Sequence, residues 1–391
     1  MGYRMTEEQV ELRDMVRSWL EHEVKPRVRE LDEKGECPLD LVQQGFDMGL
    51  HMLEIPKEYG GAGLDARTAC IVHEEINRID GGLAVCFSIT AMAVKCILDA
   101  GNEEQKRRAC NIIAQGKFAS FCLTEPQGGS DAANILMTAT RDGDNYVLNG
   151  RKCFITNAPH AELFVVYAAT DKSKGAKGIS AFMVERNTPG LSVGKDEDKM
   201  SSRLSATSDV IFDNVVVPKE NLIGREGMGF IAAMKTLDAG RVSVAAGSVG
   251  VAQRAMEEAV AYAKIRTTFG KPICEHQVIQ AMIADMSMQI EAARQLCEYA
   301  LDLMEAGKPY SKAVAMAKCF AADTAVKVAT DAVQIFGGYG VCRDYPVEKL
   351  YRDAKLGQIV EGSQQIQRMI IGRAVVSEDG KADYITMQQN I

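Results

Sequence analysis

The placement of proline limits the possible folds of this chain more than any other feature. Of its ten prolines, only Pro272, Pro309 and Pro346 follow Pro218, which leaves three long proline-free stretches in the last third. In the stretch 279–301 apolar residues recur with the 3.6-residue period of a helix for about six turns. Because proline interrupts helix interiors, the pattern predicts a bundle of long antiparallel helices from about residue 225 to 376.

The middle of the chain has a different pattern. Short β-branched or aromatic runs at 146–148, 163–168, 179–184 and 210–217 are separated by clusters of Gly, Asn, Asp and Pro. No helical pattern lies between them, which favours an antiparallel barrel or sandwich over a βαβ fold. The first part of the chain, about 118 residues, is again amphipathic helix, with a capping box predicted at Thr6 and Gln9.

Composition and missing motifs exclude several classes of protein. The net charge of −8 argues against a nucleic-acid partner, which needs a basic face. No uninterrupted apolar run reaches the roughly 18 residues of a membrane span, so we expect a soluble, cytoplasmic or matrix-like protein. The sequence has no CxxC, HExxH, GxGxxG, GxxxxGK[ST] or GxSxG motif, so zinc ribbons, Rossmann enzymes, P-loop NTPases and α/β-hydrolases lose their main support. His73-Glu74-Glu75 has the pattern of an exposed helix face.

Two segments carry the residue types that chemistry requires. The loop 121–131 is rich in glycine and hydroxyl groups, which suits close approach to a ligand, although a polar inter-domain turn has the same composition. A glycine cluster at 334–340 ends one long helix, and Ser363 is a good N-cap for the next. Glu361 lies just before that helix start. Its carboxylate is either a solvated loop charge or a general base beside backbone N–H groups.

Taken together, these motifs resemble the acyl-CoA dehydrogenase family over essentially the whole chain. The resemblance rests on Cys122–Asp131 (CLTEPQGGSD), Phe154–Thr156 (FIT), Leu237–Arg241 (LDAGR), Arg266–Pro272 (RTTFGKP), Gln334–Gly340 (QIFGGYG), Tyr351–Asp353 (YRD) and Glu361–Gln365 (EGSQQ). It implies an α+β multidomain fold. The expected domains are a helical N-terminal domain at 1–118, an antiparallel β-barrel at 119–225 and a C-terminal four-helix bundle at 226–391.

The resemblance also implies that FAD is bound noncovalently between the domains. Around the flavin ring it places Phe121, Cys122, Leu123, Thr124, Gly129, Ser130, Phe154, Ile155 and Thr156. For the rest of FAD, contacted from a neighbouring subunit in this family, it indicates Arg266, Gln277, Gln334, Ile335, Gly337 and Gly338. It also implies that Phe269, Ser363 and Gln365 bind the cofactor. Phe154 stands where the family commonly has tryptophan, which keeps an aromatic surface of different size.

Glu361 matches the family's catalytic glutamate, which takes the α-proton of an acyl-CoA thioester while the β-hydrogen leaves as hydride. Some branches place the base directly before the arginine of the Asp-x-x-Arg segment, but here Gly240 occupies that position. The pattern therefore resembles the short-, medium- and short-branched-chain branches. Near the CoA moiety the resemblance places Ser130, Asp238, Arg241 and Gly362.

Further expectations concern partners and alternatives. The resemblance implies a homotetramer in acyl-CoA metabolism such as β-oxidation, with electrons passing to an electron-transferring flavoprotein. Three alternatives stay open: an enoyl-CoA reductase, an oxidase that reacts directly with oxygen, and a catalytically silent acyl-CoA-binding homologue. The acyl group and the direction of the reaction are left open by the sequence.

Overall fold

The computed structural model describes residues 5–377, which form two compact units. One unit comprises Leu12–Val72 and Ile79–Leu237, and the other comprises residues 238–377 with the segments 5–11 and 73–78. The elements follow one another in the predicted order of helical, β and helical. The α+β fold class is therefore confirmed.

The helices before the sheet begin and end at residues that their sequence marks. They are α1 Glu7–Trp19, α2 Val28–Lys34, α3 Leu39–Asp47, α4 Ala66–Ile79, α5 Gly81–Ala100 and α6 Glu103–Ala114, with a π-helical turn at Leu20–Val24 and a 3₁₀ turn at Lys25–Arg27. At α1 the Gln9 N–H donates to Thr6 Oγ1 at 3.2 Å, and the Thr6 N–H donates to Gln9 Oε1 at 3.0 Å. The predicted capping box is confirmed.

Helix α5 is apolar on most of its surface. By length and composition alone Gly81–Ala100 could cross a membrane, but 67% of its most apolar window is buried in the structure. Asp80 caps it by accepting a hydrogen bond from the Leu83 N–H at 2.7 Å, and α5 packs on the first strand of the sheet. Since a core helix passes the same test as a membrane span, α5 is explained as the core helix of its unit.

The sheet has eight strands in the described part of the chain. They are β1 Phe118–Cys122, β2 Thr138–Asp142, β3 Asn145–Thr156, β4 Ala161–Ala169, β5 Ile179–Glu185, β6 Leu191–Asp196, β7 Thr207–Pro218 and β8 Leu222–Ile223. The order is β6-β7-β3-β2-β4-β5-β8, and β1 pairs with β4. All four predicted runs lie in strands. The pairing is mixed rather than purely antiparallel, because β4 pairs in parallel with β1 and, at one residue pair, with β2.

Five helices make up the last part of the described chain. They are α7 Gly229–Ile265, α8 Gln277–Glu305, α9 Ser311–Phe336, α10 Val347–Gly357 and α11 Gln364–Ser377, with short strands β9 Thr267–Thr268 and β10 Lys271–Pro272 between α7 and α8. Helix α9 contacts α8, α10 and α11. Gly270 and Gly307 have left-handed φ values of 80° and 62°, as the predicted turns require.

One prediction about α4 is wrong. His73, Glu74 and Glu75 are 7%, 7% and 5% exposed, so they are buried rather than on an exposed face. The reason is a buried ion pair, since Arg294 of α8 donates to Glu74 Oε1 at 2.8 Å. The sequence alone does not distinguish buried charged residues on a helix from residues on a solvated face, because here the ion-pair partners lie about two hundred residues apart.

Candidate active site

Glu361 lies in the turn that joins α10 to α11. Its φ is 51° and that of Gly362 is 97°, so two successive residues adopt the left-handed region. Such a conformation costs a non-glycine residue free energy and persists only where the surroundings hold it. The Ile366 N–H lies 3.5 Å from Ser363 Oγ, and α11 begins at Gln364, which confirms the predicted helix start.

One carboxyl oxygen of Glu361 is shielded from water. Its Oε2 is buried, and no described residue donates a hydrogen bond to it. Burial raises the pKa of Glu361 to about 7, while the charges of Arg241 and Lys318 act in the opposite direction. A carboxyl with a pKa near neutrality can take and return a proton at physiological pH, which is what a general base requires.

The carbonyl groups of the same turn point at cationic side chains. Arg241 Nε donates to the Glu361 carbonyl oxygen at 2.9 Å, and Lys318 Nζ donates to the Gly362 carbonyl oxygen at 2.8 Å. Gln367 Nε2 donates to both oxygens, at 3.3 and 3.0 Å. These donors hold the left-handed turn, and Arg241 and Lys318 also supply positive charge beside the Glu361 carboxyl.

The residues predicted near the substrate divide between the two units. Asp238 and Arg241, both on α7, form an ion pair, and Ser311 Oγ donates to the Asp238 carboxylate at 3.0 Å. Arg241 thereby connects Asp238 to the Glu361–Gly362 turn. The fourth predicted residue, Ser130, is exposed on the loop after β1, which belongs to the other unit.

A buried ion pair, which the sequence motifs did not indicate, holds the loop after β1 in place. Lys152 Nζ lies 2.7 Å from Glu125 Oε1, and the two side chains are 0% and 4% exposed. Lys152 also donates to the Leu123 carbonyl at 3.0 Å, and Glu125 Oε2 accepts from the Leu136 N–H at 2.8 Å. A lysine in the middle of the strand 145–156 was the available signal, since such residues are rarely buried unless paired.

The residues of this unit that the sequence predicts around the flavin ring lie close together. The Cys153 N–H donates to the Thr124 carbonyl at 3.0 Å, and Ser120 Oγ donates to the Thr156 carbonyl at 2.8 Å. Phe121 and Cys122 end β1, Leu123 and Ile155 are buried, and Gly129 is exposed. The end of β1 and the end of β3 thus form one surface.

Phe154 presents an aromatic ring on that surface. The pairing of β3 with β7 is irregular between Lys152 and Ile155, and Phe154 has a φ of 56°. A bulge of this kind redirects a side chain, and the Phe154 ring is 68% exposed. An exposed ring beside exposed backbone fits a flat, conjugated ligand.

A cavity of about 550 Å³ lies at the end of α9. Its walls are formed by Tyr262, Arg266, Thr268, Ile273, Ile335, Phe336, Gly337, Gly338, Tyr339 and Cys342. The Arg266 guanidinium lies 5.9 Å from the centroid of the Tyr339 ring. A Cβ added at Gly337 or Gly338 would meet nothing within 4 Å, so the backbone there is open to a ligand.

This cavity therefore contains four of the predicted cofactor residues, namely Arg266, Ile335, Gly337 and Gly338. Gln334 is exposed beside it, and Phe269 is 96% exposed with a φ of 49°. Gln277 opens α8, whereas Ser363 and Gln365 lie at the start of α11. A fixed cation, an aromatic ring and open glycine backbone suit a phosphate-bearing nucleotide.

Comparisons with known proteins agree over most of the chain. Family models described as acyl-CoA dehydrogenase N-terminal, middle and C-terminal domain match residues 6–117, 120–215 and 227–376. A short-chain-specific acyl-CoA dehydrogenase of Clostridium acetobutylicum is 44% identical, over 95% of this chain and 98% of the relative. A 3-(aryl)acrylate reductase of Clostridium sporogenes is 42% identical, over 94% and 98%.

Solved structures give the same result. A chain in a structure of the electron transferring flavoprotein of Acidaminococcus fermentans, described as a step towards a mechanism of flavin-based electron bifurcation, is similar with a TM-score of 0.93. It is 45% identical, and the alignment covers 96% of this chain and 99% of that one. The family models thus match most of the sequence between residues 6 and 376, and the structural alignment covers 96% of the chain.

Proposed function

Because the chain belongs to the acyl-CoA dehydrogenase family of oxidoreductases acting on CH–CH bonds, we propose that it converts an acyl-CoA thioester to the trans-2-enoyl-CoA. One observation carries this proposal. Glu361 has a buried, unpartnered carboxyl oxygen on a left-handed turn that cationic donors hold in place. A loop glutamate with no chemical task would be expected to face water instead.

Glu361 acts in this proposal as the general base. An α-C–H of a thioester is a very weak acid, so a base of raised pKa is needed together with donors that stabilise negative charge on the carbonyl oxygen. By the family resemblance the Glu361 N–H is one such donor. Asp238, Arg241 and Gly362 bind the substrate near Glu361 in this proposal, and the family resemblance adds Ser130 as a substrate contact.

The residues present fit FAD as the cofactor. The Phe154 ring and the joined ends of β1 and β3 suit the flavin ring, with Thr124 and Thr156 as donors to it. The cavity at the end of α9, with Arg266, suits the nucleotide part. When bound, FAD supplies a two-electron acceptor for the hydride from the β carbon.

For the acyl group we propose a short chain. The support is the printed specificity of the Clostridium acetobutylicum relative, which matches this chain almost end to end. The Clostridium sporogenes relative, named as a reductase of aryl acrylates, favours a second candidate, in which this chain reduces an enoyl thioester. Both directions use the same proton and hydride positions.

Other parts of the proposal concern assembly. We propose an electron-transferring flavoprotein as the electron acceptor, supported by the similar chain in the Acidaminococcus fermentans structure. From the family resemblance we also propose a homotetramer, a cytoplasmic location and a role in β-oxidation. We further propose domain borders after residues 118 and 225. The matched ranges 6–117, 120–215 and 227–376 support those borders.

Anaerobic titration with a panel of acyl-CoAs tests the function directly. Short-chain acyl-CoA is expected to bleach the flavin absorbance of the purified protein, whereas Glu361→Gln should retain its yellow colour and bleach at least 100-fold more slowly. Glu33→Gln is the matched control, because Glu33 is exposed and pairs with Arg29 on α2. A Glu361→Gln variant that bleaches at the wild-type rate would refute the assignment.

The alternatives predict other outcomes of the same experiment. Bleaching by a reduced donor and reoxidation by an enoyl- or aryl-acryloyl thioester, without bleaching by acyl-CoA, would favour the reductase. Rapid reoxidation of the reduced flavin by O₂ would favour an oxidase. Purified protein without flavin absorbance would support a silent acyl-CoA-binding homologue.

A further inference from the structure

Lys318 is a buried cation that none of the family motifs contains. It lies on α9 and is 0% exposed, among the buried apolar residues Val314, Ala315, Ala321 and Ala322. A charged side chain is rarely placed in such surroundings without a partner, because removing it from water is energetically costly. Its position therefore needs an explanation beyond packing.

Its contacts are with the turn before α11. Lys318 Nζ donates to the Gly362 carbonyl at 2.8 Å and lies 3.4 Å from Gln364 Oε1. The Gln364 side chain is itself oriented, since its Nε2 donates to the Cys319 carbonyl and to Asp323 Oδ1, both at 2.7 Å. Lys318 thus contacts polar atoms on both sides of Ser363.

Lys318 and Arg241 act on successive peptide groups. Arg241 holds the carbonyl of Glu361, and Lys318 holds the carbonyl of Gly362. Glu361 and Gly362 both have left-handed φ values, and the φ of Glu361 is unfavourable for a residue with a side chain. Without these two donors the turn would keep only the contacts of Gln367, so less would oppose this strain and the Glu361 carboxyl would be held less firmly.

The charge of Lys318 also acts on Glu361. Burial lowers the pKa of Lys318 to about 8, and the negative charge of Glu361 is the largest effect opposing that decrease. The two groups therefore stabilise one another in their ionised forms. The other charged or titratable groups around this turn are Arg241 and Asp238 on α7, Cys319 and Asp323 on α9, and Arg368 on α11.

On the basis of the function proposed above, we infer that Lys318 is a positioning residue for proton abstraction. It fixes the Glu361–Gly362 turn by binding the Gly362 carbonyl, and its positive charge favours the ionised carboxylate that accepts the α-proton. A purely structural lysine would affect stability but neither the pH profile nor the plateau of kcat.

Two variants of Lys318 separate its two roles. Lys318→Gln keeps a hydrogen-bond donor but removes the charge, so the apparent pKa of the kcat profile should rise by about one unit while the high-pH plateau falls less than about threefold. Lys318→Met removes the donor and the charge. The apparent pKa of the kcat profile should rise by the same amount, the high-pH plateau of kcat should fall at least about tenfold, and KM should change little. If Lys318→Met fails to fold, Lys318→Gln alone still tests the charge effect.

Hydrogen exchange gives a readout that is independent of turnover. In the purified protein, amides of the turn 358–363 should exchange faster in Lys318→Met than in wild type, because the Gly362 carbonyl keeps only the Gln367 donor and has lost the charged one. Lys327→Met is the matched control. Lys327 lies on the same helix, is 54% exposed and pairs with Asp331, so neither readout should change.

The outcomes separate this inference from the proposed function. Folded Lys318→Met or Lys318→Gln with a wild-type kcat profile and wild-type exchange at 358–363 would overturn the role of Lys318, provided that wild type is active and Glu361→Gln is not. Equal activity of wild type and Glu361→Gln would instead refute Glu361 as the base. In that case the exchange result would still report whether Lys318 holds the turn.

Discussion

Replacing Lys152 by methionine tests the ion pair under the loop 121–131. Methionine has nearly the volume of lysine but no charge and no donor. The change leaves the Glu125 carboxyl buried, with hydrogen bonds remaining from Gln127 and from the Leu136 and Met137 N–H groups. It also removes the donor that the Leu123 carbonyl has at 3.0 Å.

The expected cost follows from burial. Removing one partner of a buried ion pair typically destabilises a protein by about 3–5 kcal/mol, because the other charge stays out of water. Burial raises the pKa of Glu125, and at present Lys152 and the hydrogen bonds outweigh that effect. Without Lys152 the folded-state pKa of Glu125 should rise. The cost should then be smaller at pH 5, where the carboxyl can take a proton, than at pH 8.

Urea unfolding followed by circular dichroism at the two pH values measures this effect. Lys219→Met is the matched control, because Lys219 and Asp144 are also 2.7 Å apart in the same unit but 48% and 79% exposed. We expect no measurable change for the control. If Lys152→Met unfolds at the same urea concentration as Lys219→Met at both pH values, the reasoning about the buried pair is wrong.

Three further predictions concern the turn and the cavity. The pKa of Glu361 is about 7 in the folded protein and 4.5 ordinarily. The protonated carboxyl therefore adds about 3 kcal/mol to the free energy of unfolding below pH 4.5, and this stabilisation is lost as the pH rises through 7. Glu361→Gln should remove this pH dependence from thermal unfolding curves, and an unchanged dependence would contradict the assignment. Gly362→Ala should lower the free energy of unfolding in a urea titration by about 1–3 kcal/mol, since the φ of Gly362 is 97°. Gly372→Ala is the control, because a Cβ added at Gly372 meets nothing within 4 Å. It should not destabilise the chain in the same titration. Arg266→Met should weaken FAD retention on dilution by about tenfold, and full retention would argue against the cavity at the end of α9 as the nucleotide site.

Much of the fold was predictable because it depends on local patterns. Hydrophobic period and proline placement predicted the long helices, and β-branched runs predicted four of the strands. Cap residues are also local, which is why Thr6 and Ser363 marked helix starts correctly. The parallel pairing of β1 with β4 was not predictable in this way, since it depends on a contact between strands about forty residues apart.

The buried polar residues were the harder part of the site. Periodicity points Ile366, Met369 and Ile370 of α11 inward, but Met369 is 46% exposed, and Gln364 and Gln367 are buried instead. Both glutamines bind the polar atoms of the 361–364 turn and its neighbours. A sequence pattern counts such residues as surface residues, because the backbone groups that they bind are defined only by the tertiary structure.

Exchange of the α-protons of a substrate in D₂O tests the role of Glu361 most directly. The purified protein is incubated anaerobically with butyryl-CoA in D₂O, and deuterium at C2 is followed by mass spectrometry. Wild type should incorporate deuterium at C2 as Glu361 removes and returns protons, while Glu361→Gln should show at most about one hundredth of that rate. Equal incorporation by both proteins would mean that another group takes the proton.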